Sequence, residues 1–237
     1  MVALRDMEEG GRVLFYKDRE IRAVIFDIDG TLIDSLSMYY DCLNQELEKA
    51  GFQPISKDFL FKNLGVGASL GDILRKIVPG HKGEHVINMI TDGVLKRFWE
   101  VDFEIAVLPG VEETFAFLKA KGIKIGLATG RKSDAAYEWK KFNSVGLGHY
   151  IDTVVTAAEV EKRKPDPDLI VECANKLNVE PKECLVVGDS ISDILAARAV
   201  DATPIAVCTG VDSMEKLKEV NPDAIIERLD RLKEVVQ

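Results

Sequence analysis

Ala23-Val24-Ile25-Phe26 is an unbroken apolar run that ends in Asp27-Ile28-Asp29-Gly30-Thr31. A strand with one wet face alternates apolar and polar residues. A continuous apolar run belongs instead to a strand covered on both faces, as in a parallel sheet flanked by helices. Two carboxylates at the end of such a run are costly to bury and need a reason. In open α/β sheets the chemistry lies just beyond the carboxyl ends of the strands. A divalent cation and a phosphoryl group there would supply that reason.

The remainder of the chain agrees with a sheet of this kind. After Leu108-Pro109-Gly110, helical and strand patterns alternate. The spacing predicts helices over 111–121, 133–143, 167–177 and 192–200. It predicts strands over 123–128, 153–156, 184–187, 204–207 and 224–226. Two of these strands stop at Thr129-Gly130 and at Gly188-Asp189. Such alternation implies an α/β fold, a doubly wound parallel sheet with helices on both faces. Between 35 and 107 only helical patterns appear. Leu36, Tyr39, Tyr40, Leu43 and Leu47 repeat at helical spacing, with Ser35 or Ser37 as N-cap and Gly51 as stop. Ser56 and Ser69 are positioned to cap two further helices, Pro79-Gly80 to end the second, and Val86, Ile90, Val94, Leu95 and Phe98 mark another. The expected organisation is an N-terminal extension over 1–20, a core over 21–34 and 108–237, and an inserted all-helical domain over 35–107. Within the extension, Val13-Leu14-Phe15-Tyr16 suits a short strand and Lys17-Asp18 a turn.

Charge and composition narrow the partners. The 237 residues carry a formal charge of −9, which argues against a nucleic-acid backbone or an anionic membrane as partner. No apolar stretch approaches the roughly 20 residues of a membrane span. Arg5, Asp6, Glu8 and Glu9 leave no room for a signal-peptide core, so a cytoplasmic protein is expected. Cys42, Cys173, Cys184 and Cys208 form no CxxC pair and read as reduced structural thiols. His81, His85 and His149 lack metal-ligand spacing, and Trp99 and Trp139 read as packing residues.

Asp27/Asp29, Thr129, Lys164 and Asp189/Asp193 all fall at strand ends or in the loops beyond them. In a parallel sheet these ends share one edge, so the groups can converge. Carboxylates with one Lys and one hydroxyl make a site for a hard cation and a phosphate, and Mg²⁺ suits it. The order of these groups resembles the haloacid dehalogenase-like phosphohydrolase superfamily. Asp27-Ile28-Asp29-Gly30-Thr31 matches its first motif and Leu127-Ala128-Thr129-Gly130 its second. Lys164-Pro165-Asp166-Pro167 matches the third and Gly188-Asp189-Ser190-Ile191-Ser192-Asp193 the fourth. The likeness runs from about 21 to 230, and the helical insert resembles that family's C1 cap. Within the superfamily the chain is most similar to the phosphoglycolate phosphatase-like branch.

The resemblance implies roles. Asp27 would be the nucleophile and Asp29 the general acid/base. Mg²⁺ would rest on Asp27, the Asp29 carbonyl and Asp189, with Asp193 orienting a bound water or ligating directly. Thr129 and the Gly130 N–H would hold phosphate oxygens, and Lys164 would offset their charge. Gly67 resembles the family's cap-loop glycine; Arg131, where the family more often shows Lys or Asn, is placed just past the second motif to reach a distal anion of the substrate. The expected activity is hydrolysis of a small phosphorylated metabolite by a monomer or homodimer. Sugar phosphomutases of the β-phosphoglucomutase type share this core, but they carry a His where this chain has Tyr39 and an Arg near Leu64. A non-enzymatic reading is a phospho-accepting switch, or a silent scaffold that binds a partner. A receiver domain, however, is about half this length and places its acid pair before the phosphorylated Asp.

Overall fold

A computed structural model of the protein describes residues 14–64, 68–80 and 83–236. Gly67, His81 and Val13 lie outside the described residues. A hairpin, β1 (Leu14–Tyr16) and β2 (Arg19–Ile21), opens the fold. It does not stand apart, because Leu14, Tyr16 and Ile21 are buried in the main core and the Tyr16 hydroxyl donates to the Asp223 carbonyl at 2.7 Å.

Six parallel strands follow: β3 (Ala23–Phe26), β4 (Lys124–Thr129), β5 (Thr153–Thr156), β6 (Cys184–Gly188), β7 (Thr203–Val207) and β8 (Ala224–Ile226). Their spatial order is β5-β4-β3-β6-β7-β8. The chain builds outward from β3 through β4 to β5, then crosses to the other side of β3 to lay down β6. That reversal beside β3 is a topological switch point, where α/β sheets open a crevice for ligands.

Alternate residues of each strand face opposite sides. On one side Val24, Phe26, Ile125, Leu127, Leu185 and Val187 pack against α5 (Val111–Ala120) and α6 (Ala135–Ser144). On the other, Ala23, Ile25 and Val186 meet α7 (Asp168–Leu177) and α8 (Ile191–Arg198). Small side chains draw this second layer close. A Cβ on Gly126 would overlap the Cys173 sulfur of α7. Two short helices not evident from the spacing, α9 (Met214–Glu219) and α10 (Leu232–Val235), complete the edges.

Between β3 and β4 lie α1 (Ser35–Lys49), α2 (Lys57–Leu64), α3 (Leu70–Arg75) and α4 (Gly83–Val101). They enclose a hydrophobic cluster of their own, including Leu43, Leu47, Leu60, Ile73 and Ile90. The caps were partly legible. Ser56 accepts the Phe59 N–H, and Ser69 forms a capping box with Asp72. The cap of α1, however, is Asp34 rather than Ser35 or Ser37: its carboxylate accepts the Ser37 N–H at 3.0 Å. Helix α3 stops at Arg75, before Pro79-Gly80. Two linkers join the helical unit to the sheet, and they pair with each other. The Asp34 N–H donates to the Ala106 carbonyl and the Leu108 N–H to that of Leu32, each at 2.9 Å. Among the described residues no helix is long and apolar enough to cross a membrane.

Phe115 of α5 is fully buried, with its ring centroid 5.4 Å from that of Phe26 in the central strand. Truncation should leave a cavity under β3. Phe115→Ala is expected to lower the unfolding free energy by about 3–5 kcal/mol, measured by denaturant titration with an unchanged slope.

Candidate active site

The register decides which groups meet. Phe26 pairs with Leu127 on one side and with Val187 on the other. The next residue, Asp27, therefore emerges level with the ends of β4 and β6, and its N–H donates to the Val187 carbonyl at 2.9 Å. Lys164 reaches this point from the connection between β5 and α7. Its ammonium donates to Asp27 Oδ1, Asp193 Oδ1 and the Ala128 carbonyl, each at 2.7 Å. All three donors are thus committed, and the side chain is only 6% exposed. Burial opposes the lysine's charge, but the two carboxylates outweigh it and raise its pKa.

Asp193 serves two neighbours. One oxygen takes Lys164, and the other accepts the Ser190 N–H and hydroxyl in the capping box of α8. Asp189 has no cationic partner among the described residues. It accepts the Thr31 hydroxyl at 2.9 Å and the Val211 N–H at 2.8 Å. Its seat is formed by missing side chains. A Cβ on Gly30, whose φ is +77°, would come within 2.7 Å of Asp189 Oδ2, and one on Gly210 would overlap the carboxylate. Desolvation, with Asp193 and Asp27 nearby, pushes Asp189 well above the usual carboxylate range. Asp27 is likewise raised, to about 7, by burial and by Asp193 and Asp29, against the opposing pull of Lys164.

Thr129 ends β4, almost wholly buried, and its hydroxyl oxygen accepts the Arg131 N–H at 3.2 Å. Gly130 beside it is exposed. Arg131 turns inward. Its Nε and Nη2 grip the two oxygens of Asp29 at 2.7 and 2.6 Å, and its Nη1 donates to Asp102 at 2.5 Å. Burial pushes the Asp29 carboxyl up, but the Arg131 hydrogen bonds and charge outweigh it and hold it below its ordinary value.

Asp27, Lys164, Asp189 and Asp193 are thus brought together at one rim, with Asp29 and Thr129 on adjoining strand ends. Three groups here were not read from the sequence. Thr31 lies in the first motif, but its contact with Asp189 spans 158 residues. Val211 acts through its backbone, which no side-chain pattern reveals. Asp102, paired with Lys141 of α6, which in turn faces Glu138, is fully buried. The one signal for that trio was a Glu and a Lys at i and i+3 on the Phe142 face of α6.

The comparisons agree with this geometry. A family model described as haloacid dehalogenase-like hydrolase matches residues 24–207. A "Putative pyrophosphatase PpaX" of Clostridium perfringens is 32% identical over 216 residues, covering 88% of this chain and 94% of that one. A phosphoglycolate phosphatase of Nitrosococcus oceani is 25% identical over 224 residues, covering 90% and 95%. Among solved structures, a "putative beta-phosphoglucomutase" of Thermotoga maritima superposes with a TM-score of 0.70 at 26% identity, covering 91% of this chain and 100% of that one. With a family model that spans most of the chain and a relative 32% identical over nearly its whole length, the chain belongs to the haloacid dehalogenase-like hydrolase family.

Proposed function

We propose that this protein is a Mg²⁺-dependent phosphatase that hydrolyses a small, phosphoglycolate-like phosphomonoester through an aspartyl-phosphate on Asp27. The observation that carries this reading is the Lys164 ammonium, 2.7 Å from Asp27 at the rim where Thr129 and Asp189 also end. A buried carboxylate held by one lysine, beside a hydroxyl and further carboxylates, is an arrangement for phosphoryl transfer, which depends mostly on positioning and charge.

The charge balance fits a divalent cation. Among the described residues, Asp27, Asp189 and Asp193 when all ionised are offset by the single Lys164 ammonium, which leaves two negative charges for a cation to balance; together with burial, that excess raises the pKa values of Asp27 and Asp189. No ready-made cage of three or more His, Cys, Asp or Glu ligands is found among the described residues. Mg²⁺ does not need one, since it commonly rests on one or two carboxylates, waters and the substrate phosphate. Asp27, the Asp29 carbonyl and Asp189 would hold it, with Asp193 beside them. When bound, the cation supplies neutralising charge to the phosphoryl oxygens.

In the reaction, an Asp27 oxygen attacks phosphorus as the bond to the leaving oxygen breaks; Asp29, once released from Arg131 and protonated from solvent, gives that oxygen a proton. Asp29 then takes a proton from water as its oxygen attacks phosphorus and frees Asp27. Thr129 and the Gly130 N–H hold phosphate oxygens, and Lys164 offsets the charge on Asp27. Pyrophosphatase and phosphoglycolate phosphatase relatives support hydrolysis. The phosphomutase reading is weakened by Tyr39. It packs edge-on against Phe98, and burial pushes its phenol up to about 12, out of range for proton exchange near neutrality.

Wild-type protein is expected to turn over p-nitrophenyl phosphate repeatedly with Mg²⁺ and to stop in EDTA. Asp27→Asn should lose at least about a thousandfold in kcat. Turnover that survives both treatments would remove the nucleophile and the cation together, whereas a single stoichiometric phosphorylation would indicate a switch. A second expectation concerns pH. A carboxyl whose pKa rises from near 4 unfolded to about 7 folded binds its proton more tightly when folded. Its contribution to stability therefore falls as pH climbs through that window. In EDTA, wild-type protein should lose thermal stability between about pH 5 and about pH 8. Asp27→Asn should lose less and melt above wild type at the upper pH. Parallel melting curves for the two proteins would show that Asp27 is not strained by its burial.

A further inference from the structure

Five charged groups of alternating sign run from the reaction rim into the protein: Asp29 is held by Arg131, and Arg131, Asp102, Lys141 and Glu138 close on one another, with Arg131 Nη1 also 3.7 Å from Glu138. Arg131 is 9% exposed, and Asp102, Lys141 and Glu138 are completely buried. Lys141 donates to Asp102 at 2.8 Å and faces Glu138 at 3.2 Å. Burying so many charges is expensive unless each is paired, and most of this line takes no part in the chemistry proposed above.

The line crosses between the two linkers of the helical cap. Asp29 begins the outgoing linker after β3. Asp102 begins the returning one, directly after Val101 ends α4. Arg131 comes from neither: it follows β4 in the sheet, yet it binds both. Its Nε and Nη2 hold Asp29 and its Nη1 holds Asp102. Phe98 of α4 covers the guanidinium, with the ring centre 5.7 Å from Cζ. Asp102 is fixed in turn by Lys141 and by the Tyr137 hydroxyl of α6. The guanidinium therefore has little left to offer a substrate while this arrangement holds. Both Asp29 oxygens are taken up by it, so turning one toward a leaving group requires Arg131 to yield. Of the groups that hold it, Phe98 belongs to the cap and Asp102 to the returning linker, while Glu138 of α6 faces Nη1 at 3.7 Å.

We propose that Arg131 is a positioning residue that couples the seating of the helical cap to the direction of the Asp29 carboxylate, and not a receptor for a distal anion of the substrate. The proposal rests on Asp29 acting as the acid/base, and its test keeps the two ideas separate. Arg131→Met should lower kcat on the order of a hundredfold, as expected for a misplaced catalytic group, with KM nearly unchanged. Arg131→Lys, which retains the charge but not the two-pronged grip, should recover part of the loss. Asp102→Asn, which changes no group near the phosphate, should also lower kcat, and the double variant should fall short of the summed effects. A rise in KM at constant kcat, an unchanged or raised kcat in Arg131→Met, or a silent Asp102→Asn would overturn the coupling. If wild-type protein hydrolyses no phosphomonoester, the phosphatase reading fails, and hydrogen exchange then decides the coupling. The Asp34 and Leu108 amides, which join the two linkers, should exchange about tenfold faster in Arg131→Met while strand β6 stays protected. Unchanged exchange at both amides would show that Arg131 does not tie the linkers.

Discussion

The chemistry proposed for this molecule depends on the contact between the Lys164 ammonium and the Asp27 and Asp193 carboxylates. Each charge is too deeply placed to be left to solvent. Removing one partner from a buried ion pair typically costs about 3–5 kcal/mol, because the other is left uncompensated. The third donor of Lys164 binds the Ala128 carbonyl, so the ammonium is anchored to the backbone of β4 as well as to the acids. Its position is therefore inherited from the pairing of β4 with β3. A one-residue slip of that register would send every side chain of the strand to the opposite face and scatter the site.

The same economy recurs where Asp193 caps α8 and also anchors Lys164. The first role is local and would be met by many residues at a helix start. The second needs a carboxylate aimed back across the strand ends, and the capping geometry supplies that aim. Asp189 is placed by a different device. Glycines at 30 and 210 let two loops close over it, while Thr31 and the Val211 N–H orient it without adding positive charge. That leaves the negative excess for a bound cation to balance, the role proposed for Mg²⁺.

What could be read from the sequence follows from the range of the interaction. Strand identity, the parallel sheet and the helical insert rest on local periodicity, and local periodicity is visible in a single chain. Asp27, Asp29, Thr129 and Asp189 were legible because they sit at or just beyond strand ends, where an α/β fold concentrates its chemistry; Lys164, in the connection after β5, and Asp193, in α8, were legible through the order of the motifs. The cap of α1 falls at Asp34, before both candidates Ser35 and Ser37; all three are good capping residues. Asp102 gave no sign of its role. It follows α4 in a stretch where an acid would ordinarily face water, and its partners Arg131 and Lys141 lie 29 and 39 residues away. Only the folded linkers bring them together.

The two buried charge clusters differ in a way that matches their positions. Around Lys164 the carboxylates outnumber the cation, and their pKa values rise, which marks a site short of positive charge. Around Arg131 and Lys141, acids and bases alternate, and the Asp29 carboxyl is lowered instead. The first cluster, fully ionised, is short of two positive charges; the second sets three acids against two bases, and Glu138 Oε2 is buried without a hydrogen-bond partner among the described residues. Such an ion-pair network contributes little net stability over an apolar core of the same volume. What it adds is directional: each member fixes the angle of the next. At a junction between a sheet and a helical unit, fixed angles tie the position of one end to the other, and here one end is Asp29, two residues from the proposed nucleophile Asp27.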